Sequence, residues 1–440
     1  MLDLKFVREN AELVKKNSAN KNKKVDIDAI LKLDAARRAL IQESETLKAQ
    51  QNRESEAVAK EKDAAKRQEK IAALKKVKDD FKALELKLAA AEVELNKLLD
   101  PVPNIADADT PVGPDESGNI VVRKFLEPTK FDFEPKDHVA LGEQLDLIDN
   151  ELGAAVTGAR FTYLKGDLVL LQQAIIQYVF ALLTDRAALE QLISQNKLDL
   201  PATPFIPVIP PLMIKPEVMQ RMARLEPREE RYHIPSDDLY LIGSAEHTLG
   251  PMHLDETLTE ASLPLRYVAC TAAFRREAGS YGKDVRGILR VHQFDKIEME
   301  SFSLPEKSHA EQDLFVAIQE HLLQAFRIPY QVVRICTGDM GGPDARQIDI
   351  ECWMPGQQRY RETHTSDLMT DYQSRRLNTR VKRQDGRNEF VHTNDATCVA
   401  MGRLIIAIME NFQTADGRIE IPEVLRPYMG GRSEIGGNKC

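Results

Sequence analysis

A chain of 440 residues, 42% hydrophobic and 29% charged, is long enough for two or three domains and a sizeable core. Its net charge of −9 excludes a binder that relies on global positive charge, so any nucleic-acid contact must use local basic patches. Five scattered cysteines (Cys270, Cys336, Cys352, Cys398, Cys440) without a C-x-x-C pair argue for a reducing compartment and against a structural zinc site.

The first residues, Met1-Leu2-Asp3-Leu4-Lys5-Phe6-Val7-Arg8-Glu9, carry charge throughout, unlike a signal peptide. No apolar run approaches the roughly 20 residues of a membrane span, so the expected location is cytoplasmic, with no membrane partner. Residues 28–100 hold no glycine or proline. A seam of Leu74, Val77, Phe81, Leu84, Leu88, Ala91, Leu95 and Leu98 recurs at alternating spacings of three and four, an a/d heptad pattern. Ile30, Leu33, Leu40 and Leu47 mark an earlier seam, and a polar stretch around 50–70 separates the two. Two helices folded back at that stretch predict an antiparallel coiled-coil arm, each helix about 50 Å long; one long helix in an intermolecular coil fits the pattern too. Between Lys60 and Lys78 stand eight basic and three acidic residues. That bias suits either a solvated face or a phosphate contact through Lys60, Lys62, Lys66, Arg67, Lys70 and Lys75.

Pro101-Val102-Pro103 stops the helix, and a Pro/Gly/Asp-rich stretch within 106–120 reads as a linker. A helix is expected over 166–184, proline-punctuated extended chain over 201–216, then short strands and loops to about 385. A last helix is expected to carry Val399, Met401, Leu404, Ile405, Ile408 and Met409. Strands followed by a closing helix indicate an α+β fold with an antiparallel sheet. Neither a P-loop nor a strand-anchored G-x-G-x-x-G is present. Phe274-Arg275-Arg276-Glu277, read as a strand, places Arg275 and Glu277 on one face. An arginine fork holds phosphate, a carboxylate accepts from an amine, and Phe294 on the return run His292–Glu298 offers a face for a base. An ordinary hairpin with a solvated Arg/Glu pair remains open on these residues alone.

These stretches, with Ala159–Asp167, Pro210-Pro211-Leu212-Met213, Gly402-Arg403 and Ile421–Met429, resemble the bacterial-type seryl-tRNA synthetases over essentially the whole chain. The resemblance implies a class II synthetase antiparallel β-sheet catalytic domain flanked by helices, at 121–440. Motif 1 is expected at about 167–213, motif 2 at about 271–300 and motif 3 at about 394–428. An N-terminal tRNA-binding domain at 1–105 carries the arm. It further implies a serine–tRNA ligase that uses ATP and Mg2+ on L-serine and tRNA-Ser, with tRNA-Sec a second candidate, working as a homodimer without DNA.

By position, Arg275, Glu277 and Arg403 would be catalytic. Arg275, Arg276, Glu277, Phe294, Glu362, Thr363, His364, Thr365 and Arg403 would bind ATP. Ser244, Ala245, Glu246, Arg275, Glu298 and Thr397 would bind serine, with Glu246 on its ammonium group. Glu362 would hold Mg2+, and Lys283, Arg286 and Arg290 of the motif 2 loop would meet the tRNA acceptor end. Two segments depart from the family pattern. Thr363-His364-Thr365-Ser366-Asp367 replaces Val/Ile-Ser-Ser-Cys-Ser/Thr, and Asn394-Asp395-Ala396-Thr397 replaces Leu-Asn-Gly-Ser or Leu-Asn-Ala-Thr. His364 could pack as a ring or bind a metal; Asp395 adds a carboxylate where an amide is expected. Two other readings fit parts of the chain: a ligase loading an amino acid onto a carrier protein, and an RNA-binding relative without catalysis.

Overall fold

The computed structural model describes residues 1–278 and 286–436, and the chain divides into two compact units, Met1–Ile105 and Ala106–Cys440. In the first, short helices Leu4–Glu9 and Ala11–Asn20 precede α1 (Ile27–Lys60) and α2 (Ala64–Leu99). The chain reverses at Glu61-Lys62-Asp63, inside the polar stretch. There the Asp63 carboxylate accepts from the Ala65 and Lys66 amides at 3.0 and 3.1 Å, meeting donors a helix start leaves open. Arg37 Nε reaches Glu92 at 3.1 Å and Lys70 Nζ reaches Glu61 at 2.6 Å, so the helices run antiparallel as a hairpin. Val77, Leu84 and Leu95 are buried on the seam, and its other members are half-buried, as a two-helix contact covers only one stripe. At the base, buried Asp34 accepts from Arg8 and Arg38 at 2.9 and 3.1 Å.

The second unit is built on eight strands: β1 (Ile120–Phe125), β2 (Ile206–Pro207), β3 (Leu265–Phe274), β4 (Gln293–Ser303), β5 (Tyr330–Arg334), β6 (Arg346–Met354), β7 (Arg359–Thr370) and β8 (His392–Ala400). They lie in the order β1-β5-β6-β7-β8-β4-β3-β2. Every ladder is antiparallel except that of the two-residue edge strand β2, which runs parallel to β3. Three helices position this sheet: α3 (Asp167–Thr184), α4 (Ser308–Phe326) and α5 (Met401–Asn411).

By length and composition α3 could cross a membrane, yet Leu168, Leu171, Ile175, Val179 and Leu183 are buried in the core. From α4, Gln312 donates to the Ser366 and Arg346 carbonyls and Gln319 to the Thr365 and Thr397 carbonyls, at 2.8–3.0 Å. Those bonds satisfy strand oxygens from behind the sheet and fix the strands whose other face carries the site. Arg266 makes a fully buried two-pronged pair with Glu311 at 2.8 and 2.7 Å, tying β3 to α4.

Two expectations are corrected. Val399 lies in β8, which ends at Ala400, and α5 begins at Met401, because the apolar run continues across the strand–helix junction. The expected linker is bonded to the second unit: Asp107 N donates to Ala345 O at 2.7 Å, Thr337 N to Pro111 O at 2.9 Å, and Asp107 pairs with His309 at 2.7 Å.

Candidate active site

A cleft of about 610 Å³ lies over the face of β4, β7 and β8, rimmed by the chain that follows β3 and by the start of α5. Arg275, Glu277, Phe294, Glu362, Thr365 and Arg403 line it, as do Ser244, Glu246, Glu298 and Thr397. Residues from five separate stretches of sequence therefore converge, although Arg275 and Glu277 reach the cleft by another route than expected. Strand β3 ends at Phe274, and Glu277 has φ +51, so the pair sits on a turned segment rather than on a strand. The turn is held by Arg160 Nη1 donating to Glu277 O at 3.2 Å and by Arg290 approaching the Glu277 carboxylate at 3.5 Å.

Arg275 Nε donates to Gly243 O at 3.1 Å, and its guanidinium lies over the Phe294 ring at 5.4 Å. The Gly243 amide in turn donates to His247 Nδ1 at 3.2 Å, and burial keeps His247 well below its usual pKa, hence a neutral acceptor. At the start of α5, Arg403 Nη1 bonds the Glu362 carboxylate at 2.8 Å and its carbonyl at 3.0 Å. Burial raises the Glu362 pKa, but Arg403, Arg275 and Lys296 outweigh it and hold the group ionised. A Cβ on Gly402 would stand 2.9 Å from Ile288 O; the close approach of α5 to the motif 2 return limb needs glycine there.

A second group clusters around Arg224. Its Nε donates to Glu246 at 2.6 Å, and its Nη2 lies 3.7 Å from Asp344 and 3.6 Å from Asp395. Burial pushes the Glu246 carboxyl up, but Arg224 and other nearby cations hold it down at about 2. Gln373 Nε2 also donates to Glu246 at 3.1 Å. Lys296 bridges Ser244 Oγ at 3.3 Å and Glu298 at 2.8 Å.

Thr363 and His364 do not line the cleft. A register shift between Ile350 and Glu351 turns both inward, where Thr363 donates to Ile350 O at 3.1 Å and meets His364 Nδ1 at 2.7 Å. Burial drives the His364 pKa to about 3, so the ring is a packed neutral side chain. Arg276 points away and stacks on Tyr232 at 5.4 Å, and Ala245 is buried outside the lining. Arg286 pairs with Glu143 at 3.1 Å, while Lys283 lies outside the described residues. Arg224, Arg231, His247 and Lys296 line the cleft without having been picked out from the sequence as site residues, and Arg290, expected at the tRNA acceptor end, lines it too. Among the described residues no three His, Cys, Asp or Glu side chains are grouped to hold a metal.

Residues 230–412 match the tRNA synthetase class II core domain that serves glycine, histidine, proline, serine and threonine. Sheet, cleft and match together define a class II aminoacyl-tRNA synthetase core. Residues 1–106 match the seryl-tRNA synthetase N-terminal domain. The chain is 42% identical to the serine–tRNA ligase of Thermomicrobium roseum, over 99% of this chain and 95% of that one. It is 41% identical to that of Geobacter sulfurreducens, over 99% and 100%. The solved seryl-tRNA synthetase of Pyrococcus horikoshii complexed with ATP superposes with a TM-score of 0.87 at 36% identity, covering 99% of both chains. That of Naegleria fowleri with AMP gives 0.83 at 30% identity over 99% and 98%. The chain belongs to the seryl-tRNA synthetase family, and its activity is that of a serine–tRNA ligase. The carrier-protein and non-catalytic readings give way, because the relatives match the arm and the catalytic core together.

Proposed function

We propose that the cleft activates L-serine with ATP on one group of residues and reads the amino acid on the other. The observation that carries this reading is the convergence of Arg275, Phe294, Glu362 and Arg403 with Glu246, Glu298 and Thr397 on one surface. Phe294 offers the ring on which adenine stacks, Arg403 covers the opposite face and the distal phosphates, and Arg275 binds the α-phosphate. Glu277 accepts from the nucleotide. Glu246, held ionised, takes the serine ammonium; Ser244, Glu298 and Thr397 face its hydroxyl. A serine carboxylate oxygen bonds to the α-phosphorus while the bond to the bridging oxygen breaks and diphosphate leaves. The chain's task is placement and cationic charge, with no protein nucleophile. The 3′-terminal ribose hydroxyl of tRNA-Ser then attacks the seryl carbonyl and AMP leaves.

The donor set fits Mg2+ only as an ion shared with nucleotide phosphates, with Glu362 as its protein carboxylate, since no closed cage is present among the described residues. When bound, the ion would neutralise phosphate charge. The arm face with Lys62, Lys66, Arg67 and Lys75 is proposed to hold tRNA by shape and backbone, and Arg286 to meet the acceptor end. Two copies are proposed to assemble through motif 1, where Ile209 is 97% exposed. Thr363 and His364 support the strand rather than touch ATP.

Amino-acid-dependent ATP–pyrophosphate exchange over the twenty amino acids tests the core of this reading. Serine alone should support exchange, and Arg275→Ala should slow it by about 10²–10³-fold. Exchange that ignores Arg275, or that prefers another amino acid, would overturn it. Charging of tRNA-Sec transcript beside tRNA-Ser decides the second substrate.

A further inference from the structure

Register places three acids in one row across the floor of the site. Glu300 of β4 stands directly opposite Asp395 of β8, and Asp395 directly opposite Asp367 of β7. Residues directly opposite in antiparallel strands share a sheet face, with Cβ atoms about 5 Å apart. All three are buried, and both Glu300 oxygens lack a hydrogen-bond partner. Facing the row are Glu298, Glu246 and Asp344, and against them stand Lys296, committed to Glu298, and Arg224. Like charges so placed repel and cannot all ionise.

We propose that Arg224 is a positioning residue for the amino-acid pocket: its guanidinium bonds Glu246 on one edge and faces Asp344 and Asp395 on the other, and so keeps Glu246 placed for the serine ammonium beside an acidic row that would otherwise repel it. The geometry divides the work. The Nε edge holds Glu246 at 2.6 Å, while Nη2 spans Asp344 and Asp395 at 3.7 and 3.6 Å, so one planar fork links the ammonium acceptor to the row. A lysine, with a single point charge, cannot serve both sides. Without Arg224, Glu246 would share the row's repulsion; burial, Glu246 and Asp367 already push the Asp395 carboxyl well up, with Arg224 the opposing cation. With neutral residues at 367 and 395, the need for the guanidinium falls.

The inference rests on Glu246 as the ammonium partner. Arg224→Gln, Arg224→Lys, Glu246→Gln, Asp367→Ser/Asp395→Asn and the triple Arg224→Gln/Asp367→Ser/Asp395→Asn are compared in serine-dependent pyrophosphate exchange, with KM taken separately for serine and ATP. R224Q and R224K should each raise the serine KM at least tenfold while the ATP KM stays within twofold, which also reports an intact fold. The triple variant should recover at least half of that loss on a logarithmic scale, a rescue that a merely structural arginine would not give. A serine KM within twofold of wild type in R224Q, or a triple variant no better than R224Q, overturns the proposal. If E246Q itself leaves the serine KM unchanged, the ammonium assignment fails first, and the two failures are told apart.

Discussion

Buried carboxyls give the site residues a pH signature. Burial raises the Glu300 pKa well above the ordinary glutamate value, with Asp395, Glu246 and Glu298 adding to it. An acid raised in the folded state binds its proton more tightly there than in the unfolded chain. Stability is therefore lost as pH rises from the unfolded value near 4.5 toward the folded one. Glu300→Gln removes that loss, so its advantage over wild type should grow with pH, reaching about 1–3 kcal/mol once the wild-type group ionises. Thermal midpoints across pH 5 to 9 check the sign. His364 works in the opposite sense. With its pKa depressed from 6.5 to about 3, it contributes stability that disappears as pH falls through that interval. His364→Gln should flatten the acid side of the same curve.

The arm and the end of α5 act as elements. In the arm Arg67 and Lys75 are exposed on α2, within the positively biased stretch. Converting Lys66, Arg67 and Lys75 to alanine should raise the tRNA-Ser KM and reduce the salt slope of tRNA binding by about 2–3, leaving pyrophosphate exchange unchanged. Filter binding at several salt concentrations measures the slope. The last turn of α5 carries Glu410, a fully buried side chain that accepts from the His138 amide at 3.1 Å, His138 Nδ1 at 3.1 Å and the Gly356 amide at 2.9 Å. With Nδ1 donating, His138 Nε2 is the acceptor for Ile288 N at 3.4 Å, and Ile288 lines the cleft. The last turn of α5 thus holds the motif 2 return limb. Glu410→Ala strands several buried donors and should cost about 3–5 kcal/mol in urea unfolding, with Glu410→Gln losing less.

How far these elements were legible in the sequence depended on whether their physics is local. The heptad seam predicted the hairpin, since spacing alone fixes a helix face, and the Asp63 turn fell where the seam ran out. Glycine and arginine near Gly402-Arg403 marked the start of α5, though the apolar run hid the boundary at Met401. Arg224 was not legible: Met222-Ala223-Arg224-Leu225 carries no motif, and its partners at 344 and 395 lie more than a hundred residues away. The available signal was indirect, two aspartates that pair across neighbouring strands and call for a cation. The bulge that turns Thr363 and His364 inward leaves no trace in composition, so carry-over by position from the family assigned both to ATP although neither lines the cleft.

For the whole molecule, the second unit exposes apolar side chains on edge strand β2, on the chain just after it and on helix α3: Ile206 at 48%, Ile209 at 97% and Leu170 at 43%. Exposed apolar side chains of this kind suit the proposed contact between two copies. Ile209→Lys should shift the protein toward monomer in sedimentation velocity while leaving the thermal midpoint of the isolated subunit within a degree or two of its parent's, an expected surface effect. Unchanged sedimentation would remove Ile209 from the dimer contact.

The cross-strand row also constrains how this pocket can change over time. From a pocket with serine at 367 and asparagine at 395, an arginine at 224 arriving first meets Glu246 and Asp344 but no acid at 367 or 395. An aspartate arriving first has no counter-charge. On the proposed charge offset, each single step leaves the pocket's charge unbalanced, so the changes are expected to travel together. Among descendants of one ancestor, charge at 224 should be gained and lost together with charge at 367 and 395. A lineage that keeps Arg224 beside two neutral residues would mark where that coupling broke.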